Sequence, residues 1–308
     1  MKAQLLKILR SATGVVSGEL MSDELGISRV SVWKHISKLR EYGYPIYSTP
    51  KGYRLSGDTD LLYPWEFPQR ESKVHYFPEV NSTMEIAREK AQKGCPDFTV
   101  VIAGRQKKGR GRLDRTWHSD EGGLYLTIIL RPPISPVLSP RIGFAASLAL
   151  VQTLRNLFGI AAVVKWPNDV LVGDRKIAGM LSEMAAETDR IHFINIGLGI
   201  NVNNDPTSIE PRAVSLRQLL NHPVSRNKLL AALLDKFESH VGHYALENVI
   251  EQWKRYTDTI GRAVKIVTAN DKFEGKAVDV DDSGALILQL CDGSIQKIIY
   301  GDCFYQTG

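Results

Sequence analysis

GRQKKGRGRLDRTWHSDEGGLYLTIIL, Gly104 to Leu130, is the stretch whose reading decides the fold. Ahead of it, Thr99 to Ala103 (TVVIA) is short, apolar and β-branched, and Leu124 to Leu130 at its end has the same character. Both predict buried strands, the second introduced by the Gly122-Gly123 breaker. Between them lie Arg105, Lys107, Lys108, Arg110, Arg112 and Arg115, against Asp114, Asp120 and Glu121. A connection this long and polar is not expected to be a hairpin; such loops are functional or disordered. Gly109-Arg110-Gly111-Arg112 alternates a residue that tolerates positive φ with a guanidinium. That composition suits wrapping backbone N–H groups and forked cations around an anion. Gly-Arg tails that bind RNA lack flanking strands, so the stretch is read as an anion clamp that orders on binding. The bland alternative is a solvated basic loop.

At 308 residues there is room for two or three domains, and an apolar fraction of 43% with 24% charged residues predicts sizeable cores. No apolar run is expected to span a membrane, the longest being Phe144 to Val151. Lys7 and Arg10 interrupt the N-terminal MKAQLLKILR, which is therefore not read as a signal peptide. Cys95, Cys291 and Cys303 form neither a CxxC nor an even framework, fit a reducing cytoplasm, and are expected to be bystanders. Residues 1–56 hold nine cations and four anions, so they carry the whole net charge of +5 on an otherwise neutral chain. The basic segment, rather than the whole protein, is expected to meet a polyanion.

That segment reads helix (Ala3 to Leu9), helix (opened by Ser17), Gly26 turn, then a third helix from Arg29 to Glu41 capped by Ser28. Val32, Ile36 and Leu39 form its inward face, and Arg29, Ser31, Lys34, His35 and Lys38 turn outward. Residues 44–48 and 52–55 make a hairpin tipped by Lys51. Order, turn and charge together resemble a winged helix-turn-helix, the third helix entering the major groove and the wing meeting phosphate or minor groove. Ser28, Arg29, Ser31, Lys34, His35, Lys38 and Lys51 are the candidate DNA contacts, with His35 facing phosphate or solvent rather than a metal.

Residues 56–69 lack periodicity and are placed as a linker. Beyond it, Asn81-Ser82-Thr83 caps a helix, which exposes hydroxyls and free N–H groups together, although capping alone also explains it. Ile142 to Leu157 is a core helix. Val163–Trp166 is a strand; Val170–Val172 and Lys176–Leu181 form a hairpin; Ile191–Leu198 is another strand, and 204–212 a surface loop. From Gly261 four short strands predict a small barrel or sandwich. The common nucleotide loops GxxxxGK[ST] and GxGxxG are absent.

Asn81-Ser82-Thr83, the GRGR block with Arg115 and Trp117, Lys165-Trp166-Pro167-Asn168-Asp169 with Asp174 to Gly179, and Gly197-Leu198-Gly199-Ile200-Asn201 together resemble the bifunctional biotin–protein ligase and biotin operon repressor family. The resemblance covers nearly the whole chain. It implies an α+β, multidomain protein. A winged helix-turn-helix over 1–60 precedes a mixed α/β catalytic domain of the biotin/lipoate ligase type over 61–260, with an SH3-like β-barrel over 261–308. It further implies that biotin is activated with ATP and Mg²⁺ to biotinyl-5'-AMP and passed to one lysine of a biotin carboxyl carrier domain. A cytoplasmic, non-membrane repressor that binds operator DNA, as a homodimer once adenylate is bound, completes the picture. A lipoate-type acyl ligase and a non-catalytic biotin-sensing transcription factor are the alternatives.

By the same resemblance Ser82, Thr83, Met84, Gln106 and Gly179 hold biotin, while Arg110, Gly111 and Arg112 wrap it and its adenylate. Lys176 pairs with the biotin carboxylate and α-phosphate, and Arg112, Arg115 and Trp117 belong to the nucleotide end, where Asn201 either positions phosphates or Mg²⁺ or merely holds a turn. Lys176, Arg110 and Asp169 are the catalytic candidates, Asp169 orienting the acceptor lysine or merely capping its own turn. Lys165 and Trp166 are equally wall or packing. Two departures stand out: Met84 replaces a frequent amide, and Leu113-Asp114 follows GRGR where some relatives add Arg-Gly, which lowers the loop's positive charge.

Overall fold

The computed structural model describes residues 1–113, 115–268 and 270–306. Asp114 of the basic loop, and Thr307 and Gly308 of the expected third domain, lie outside the described residues. The chain forms two compact units, Met1–Ser72 and Lys73–Gly308.

In the first unit α1 (Lys2–Ser11), α2 (Gly18–Leu25) and α3 (Arg29–Glu41) precede a hairpin of β1 (Ile46–Thr49) and β2 (Gly52–Leu55). The Ser17 and Ser28 hydroxyls accept the N–H groups of Leu20 and Ser31 at 3.0 and 3.2 Å, and Gly26 ends α2 at φ 63°. Leu5, Leu6, Met21, Val32, Ile36 and Leu39 close one core. Arg40 ties α3 to the wing, donating from Nε to the Ile46 carbonyl at 2.6 Å and from Nη2 to Ser48 at 2.7 Å. Val16 adds a third edge to the wing, exchanging two 2.8 Å backbone bonds with Tyr53.

The linker expectation is corrected over 61–66. Leu61, Tyr63 and Trp65 pack against the helical core, and Tyr63 stacks on Trp65 at 4.7 Å. Pro64–Glu66 forms a 3-10 turn whose Glu66 carboxylate, 2% exposed, pairs with Arg10 at 2.9 Å and accepts the Tyr44 hydroxyl. Aromatic anchors without a period escape a search for helical or strand repeats.

The second unit is built on a seven-stranded sheet. Its strands are β3 (Val74–Val80), β4 (Thr99–Gln106), β5 (Leu124–Leu130), β6 (Ala162–Lys165), β7 (Asp169–Val172), β8 (Arg175–Ala186) and β9 (Ile191–Ile200). The order is β3-β4-β5-β9-β8-β7-β6, and β3 with β4 is parallel while the other pairs are antiparallel. Helix α4 (Thr83–Gln92) crosses between β3 and β4 and lies against β4, β5 and β9, burying Ala87 and Ala91 beside Val101, Ile129 and Phe193. Helix α5 (Pro140–Phe158) packs on β6, β7 and β8; α6 is Leu216–Leu220, and α7 (Arg226–Val241) and α8 (Val249–Lys254) cover α5.

The expectation that nothing reaches the length of a membrane span is corrected. Pro136–Phe158, 23 residues with mean hydropathy 1.3, passes on length and composition. Most of that window, 61%, is buried inside the unit, where the helix serves as core.

The C-terminal strands are β10 (Ala263–Val267), β11 (Lys272–Val280), β12 (Leu286–Leu290), β13 (Ile295–Ile298) and β14 (Asp302–Tyr305), the last not anticipated. They pair antiparallel in the order β13-β12-β11-β10-β14. The expected barrel is therefore an open five-stranded sheet, since the described residues show no pairing of β13 with β14.

Candidate functional site

The basic loop does not cross open solvent between β4 and β5. Gln106 donates its N–H to the Ser119 carbonyl at 3.1 Å, Trp117 to Gly109 at 2.9 Å, and Gly111 to Arg115 at 2.7 Å. It is an irregular hairpin after all, and the expectation of an unpaired loop is corrected. Gly109 and Gly111 do not serve positive φ; in this loop that angle falls to Leu113, at 51°, and to Gly122, at 94°. Gly109 is demanded by close approach, because a Cβ there would lie 2.2 Å from the Trp117 carbonyl oxygen.

Folding back in this way brings the loop over the ends of β5, β8 and β9, and a cleft of about 510 Å³ opens beneath it. Ser82, Thr83, Met84, Gln106, Arg110, Gly111, Arg112, Arg115, Trp117, Asp169, Lys176, Gly179 and Asn201 all line it. At its deep end hydroxyls and amides are chained: Thr127 donates to Thr83 at 2.8 Å, Thr83 to Gln106 at 3.1 Å, and Gln106 to Ser119 at 2.8 Å. Ser82, 1% exposed, caps α4 by accepting the Met84 N–H at 3.3 Å. The cap and cleft readings of the Ser-Thr pair therefore hold together. Met84 covers the floor; a Cβ on Gly197 would lie 2.7 Å from its sulfur.

Farther out, Gly179 and Gly199 are paired across β8 and β9 and leave room for the Trp117 indole. Lys176 sits beside it, Nζ 5.3 Å from the ring centroid, and pairs with Asp169 at 2.7 Å. The Trp117 Nε1 is buried with no partner among the described residues.

The cations divide by task. Arg112 is half-buried and donates to Asn168 at 3.2 Å. Burial lowers its pKa from the usual guanidinium range, against the pull of Asp302 and Asp169, so an incoming anion would relieve a poorly solvated charge. Arg110 reaches Glu183 at 2.7 Å, which Arg88 also holds at 2.6 Å. Arg115 pairs with Asp302 of β14. Arg105 and Lys107 turn to Glu79 and do not line the cleft. Asn201 is 3% exposed and accepts from Asn204 at 3.0 Å.

Lys165 and Trp166 resolve as packing. Lys165 lies 4.8 Å over the Tyr305 ring, and Trp166, 1% exposed, donates to the Gly284 carbonyl at 3.0 Å. None of the three cysteines lines the cleft, and burial pushes the Cys303 thiol up to about 12. Asn168, Asp302 and the stretch from Asn204 to Glu210 do line it and were not anticipated. Asn168 belongs to the Lys165–Asp169 motif, which by itself assigns it no role. The 204–210 stretch has loop composition, and only the fold brings it to the cleft.

In the first unit Arg29, Lys34, Lys38 and Lys51 are exposed, Ser31 and His35 half-buried. The Ser28 and Ser31 hydroxyls lie 3.0 Å apart at the cap of α3. Lys38 is paired with Glu41 at 2.7 Å, a bond that raises its pKa and makes it the least available of these cations.

Residues 76–201 match the biotin/lipoate A/B protein ligase family, residues 2–54 an HTH domain, and residues 259–305 the biotin protein ligase C-terminal domain. The chain is 36% identical over 302 residues to the bifunctional ligase/repressor BirA of Bacillus subtilis (strain 168), covering 93% of each chain. It is 30% identical over 295 residues to the protein of that name in Escherichia coli (strain K12), covering 93% of this chain and 91% of that one. Among solved structures it resembles the biotin protein ligase from Aquifex aeolicus in complex with biotin and ATP, with a TM-score of 0.66 and 27% identity over 77% of this chain and 99% of the other. With three matching domains in one order and a relative aligned nearly end to end, the chain belongs to the bifunctional biotin–protein ligase and repressor family.

Proposed function

We propose that the protein is a biotin–[acetyl-CoA-carboxylase] ligase that converts biotin and ATP to biotinyl-5'-AMP and pyrophosphate, then transfers biotin to a lysine of a carrier domain with release of AMP. The observation that carries this reading is the single cleft in which a hydroxyl–amide end (Ser82, Thr83, Gln106) adjoins a cationic end (Arg112, Lys176). Biotin's polar head suits the first, and its carboxylate would meet the α-phosphate at the second. Two like-charged reactants approach only where fixed cations offset their repulsion, and Arg112 and Lys176, which both line this end of the cleft, would supply that charge.

The 2.7 Å Lys176–Asp169 pair supplies an order of events. An anion at the α-phosphate position competes for Lys176 and draws it from Asp169. Asp169, freed, then faces the ammonium of the acceptor lysine, orients it and takes its proton as the amine attacks the acyl carbon. Arg110 and Gly111 close the loop over the adenylate, and Arg115, Trp117 and Asn201 border the nucleotide end. Met84 contributes a thioether contact, and Gly179 close approach. Mg²⁺ would be carried in by the triphosphate and would supply an offset to its negative charge. The described residues offer no group of three or more His, Cys, Asp or Glu ligands, which suits a cation held chiefly by phosphate oxygens and water.

The first unit, which takes in residues 61–72 beyond the expected boundary at 60, is proposed to bind operator DNA through α3 and the wing, as a homodimer when adenylate is bound, in the cytoplasm; the expected catalytic and C-terminal domains meet at 260/261. Adenylate and operator would then be thermodynamically coupled ligands. Mass spectrometry of a biotin-acceptor domain incubated with the protein, ATP, Mg²⁺ and either biotin or lipoate tests the enzyme reading. One added biotinyl group is expected; a lipoyl adduct alone, or none, overturns it. Operator affinity equal with and without biotin and ATP would end the repressor coupling.

A further inference from the structure

The N-terminal half of α3 carries two large apolar side chains that the core does not use. Val30 is 62% exposed and Trp33 is 55% exposed, while Val32, Ile36 and Leu39 fill the interior from the same helix. Packing does not require them, and burying a tryptophan on a partner is worth far more than leaving it in water. They are also placed in a particular setting. With Arg29 they form one wall of a cleft of about 460 Å³ whose other walls are the start of α2 (Ser17 to Glu19) and the wing (Ser48 to Tyr53). The exposed cations Arg29 and Lys51 line it, and Lys34, next to Trp33 on the same helix, is also exposed. An apolar pair flanked by cations on the N-terminal half of a recognition helix matches a major groove. There the thymine C5-methyl is the apolar feature and the flanking phosphates are the anions. A protein partner of ordinary acidity would satisfy the cations but leave no reason for the apolar pair to stand at the end that enters the groove.

We infer that Val30 and Trp33 are sequence-reading residues that pack against thymine methyl groups in each operator half-site, with Arg29, Lys34 and Lys51 anchoring the backbone. This rests on the DNA-binding reading of the first unit and adds what is read. Cations alone neutralise phosphate on any sequence; the apolar pair confers a preference for thymine at fixed positions.

The test uses the full-length protein with biotin, ATP and Mg²⁺, and duplexes that the wild type selects from a random-sequence library. Replacing thymine by uracil removes the C5-methyl and changes nothing else on the base. At one or two positions per half-site, uracil should weaken wild-type binding about fourfold for each methyl lost. Trp33→Ala and Val30→Ala should bind the thymine duplex more weakly and should no longer distinguish it from the uracil duplex at the positions they cover. Lys34→Ala should weaken both duplexes equally and flatten the salt dependence. Wild-type affinity indifferent to uracil at every position overturns the inference, as does a Trp33→Ala protein that keeps the full uracil response. The uracil comparison requires no variant, so misfolding cannot mask it. Failure to select any sequence would overturn the DNA reading itself, and is seen before uracil enters.

Discussion

A methyl group added at Gly199 would lie 2.2 Å from Nε1 of Trp117, and one at Gly179 3.0 Å from the same indole. Trp117 can swing aside, and alanine is better tolerated than glycine in a strand by about 0.5–1 kcal/mol. Gly199→Ala should therefore leave the thermal midpoint unchanged or slightly raised. Adenylate formation should nonetheless fall on the order of 100-fold, because a displaced wall misplaces the reacting groups. Wild-type turnover together with an unmoved Trp117 fluorescence would refute it. Lys176 and Asp169 separate by step. Lys176→Gln removes a fixed cation from the developing charge and should slow adenylation on the order of 100- to 1,000-fold. Asp169→Asn should spare adenylation and slow transfer to the acceptor, read by single-turnover assay of preformed biotinyl-5'-AMP. These residues stood in contiguous blocks and were legible. Asp302 and Asn204 were not, because a lone acid or amide acquires its meaning only when the fold carries it to the cleft.

At the scale of elements, local signals were strongest where punctuation and periodicity agreed. Helix α3 runs from Arg29 to Glu41 as expected, because the Ser28 cap, the preceding Gly26 and the apolar spacing all specify it. The basic loop was misjudged for the opposite reason. Its pairing rests on Gly109 approaching the Trp117 backbone, a contact of a strand-disfavouring glycine with a single aromatic residue that has no alternating neighbours to mark a strand. The wing's third edge was missed likewise, since Val16 is a single bridging residue. That edge yields a prediction at Gly52, where φ is 140° and a Cβ would lie 2.1 Å from the Val16 carbonyl oxygen. The obstacle is backbone and cannot rotate away. Gly52→Ala should cost about 1–3 kcal/mol of the first unit's stability. It should also weaken operator binding by separating the wing from Val16, and a gel shift with a thermal melt reads both. Undiminished DNA affinity would mean that the wing tip is not part of the interface.

Within the second unit, the C-terminal sheet meets the catalytic body at several places, among them the turn from Asp281 to Ala285, Asp302 and Tyr305 on β14, and Asp279 on β11, which pairs with Lys254 at 2.9 Å. Gly284 accepts the Trp166 indole N–H at 3.0 Å, and a Cβ on it would meet Phe144 of α5 at 2.6 Å. The Asp282 carbonyl accepts from Arg141 at 3.0 Å. Trp166 immediately precedes the turn that carries Asn168 and Asp169 into the cleft, so the geometry of 281–285 bears on the site. Asp281 holds that turn, accepting the N–H groups of Ser283 and Ala285 at 2.9 and 3.1 Å, the Ser283 hydroxyl at 2.6 Å and the Lys297 ammonium at 2.5 Å. Burial by itself would raise its pKa, but Lys297, the hydroxyl and the two N–H groups outweigh it and hold the carboxyl at about 2, below the ordinary 3.8. A carboxyl depressed in the folded state favours folding above its unfolded pKa and loses that contribution as pH falls through the folded value. The window is therefore about pH 4 down to about pH 2. Asp281→Asn should be less stable at neutral pH by about 1–2 kcal/mol, after allowance for solvent screening. Its stability should decline less than the wild type's across that window, because the titrating group is gone. Parallel denaturation midpoints for the two proteins from pH 7 to pH 2 would show that the turn draws nothing from Asp281, and the proposed hold on the Trp166 segment would fail with it.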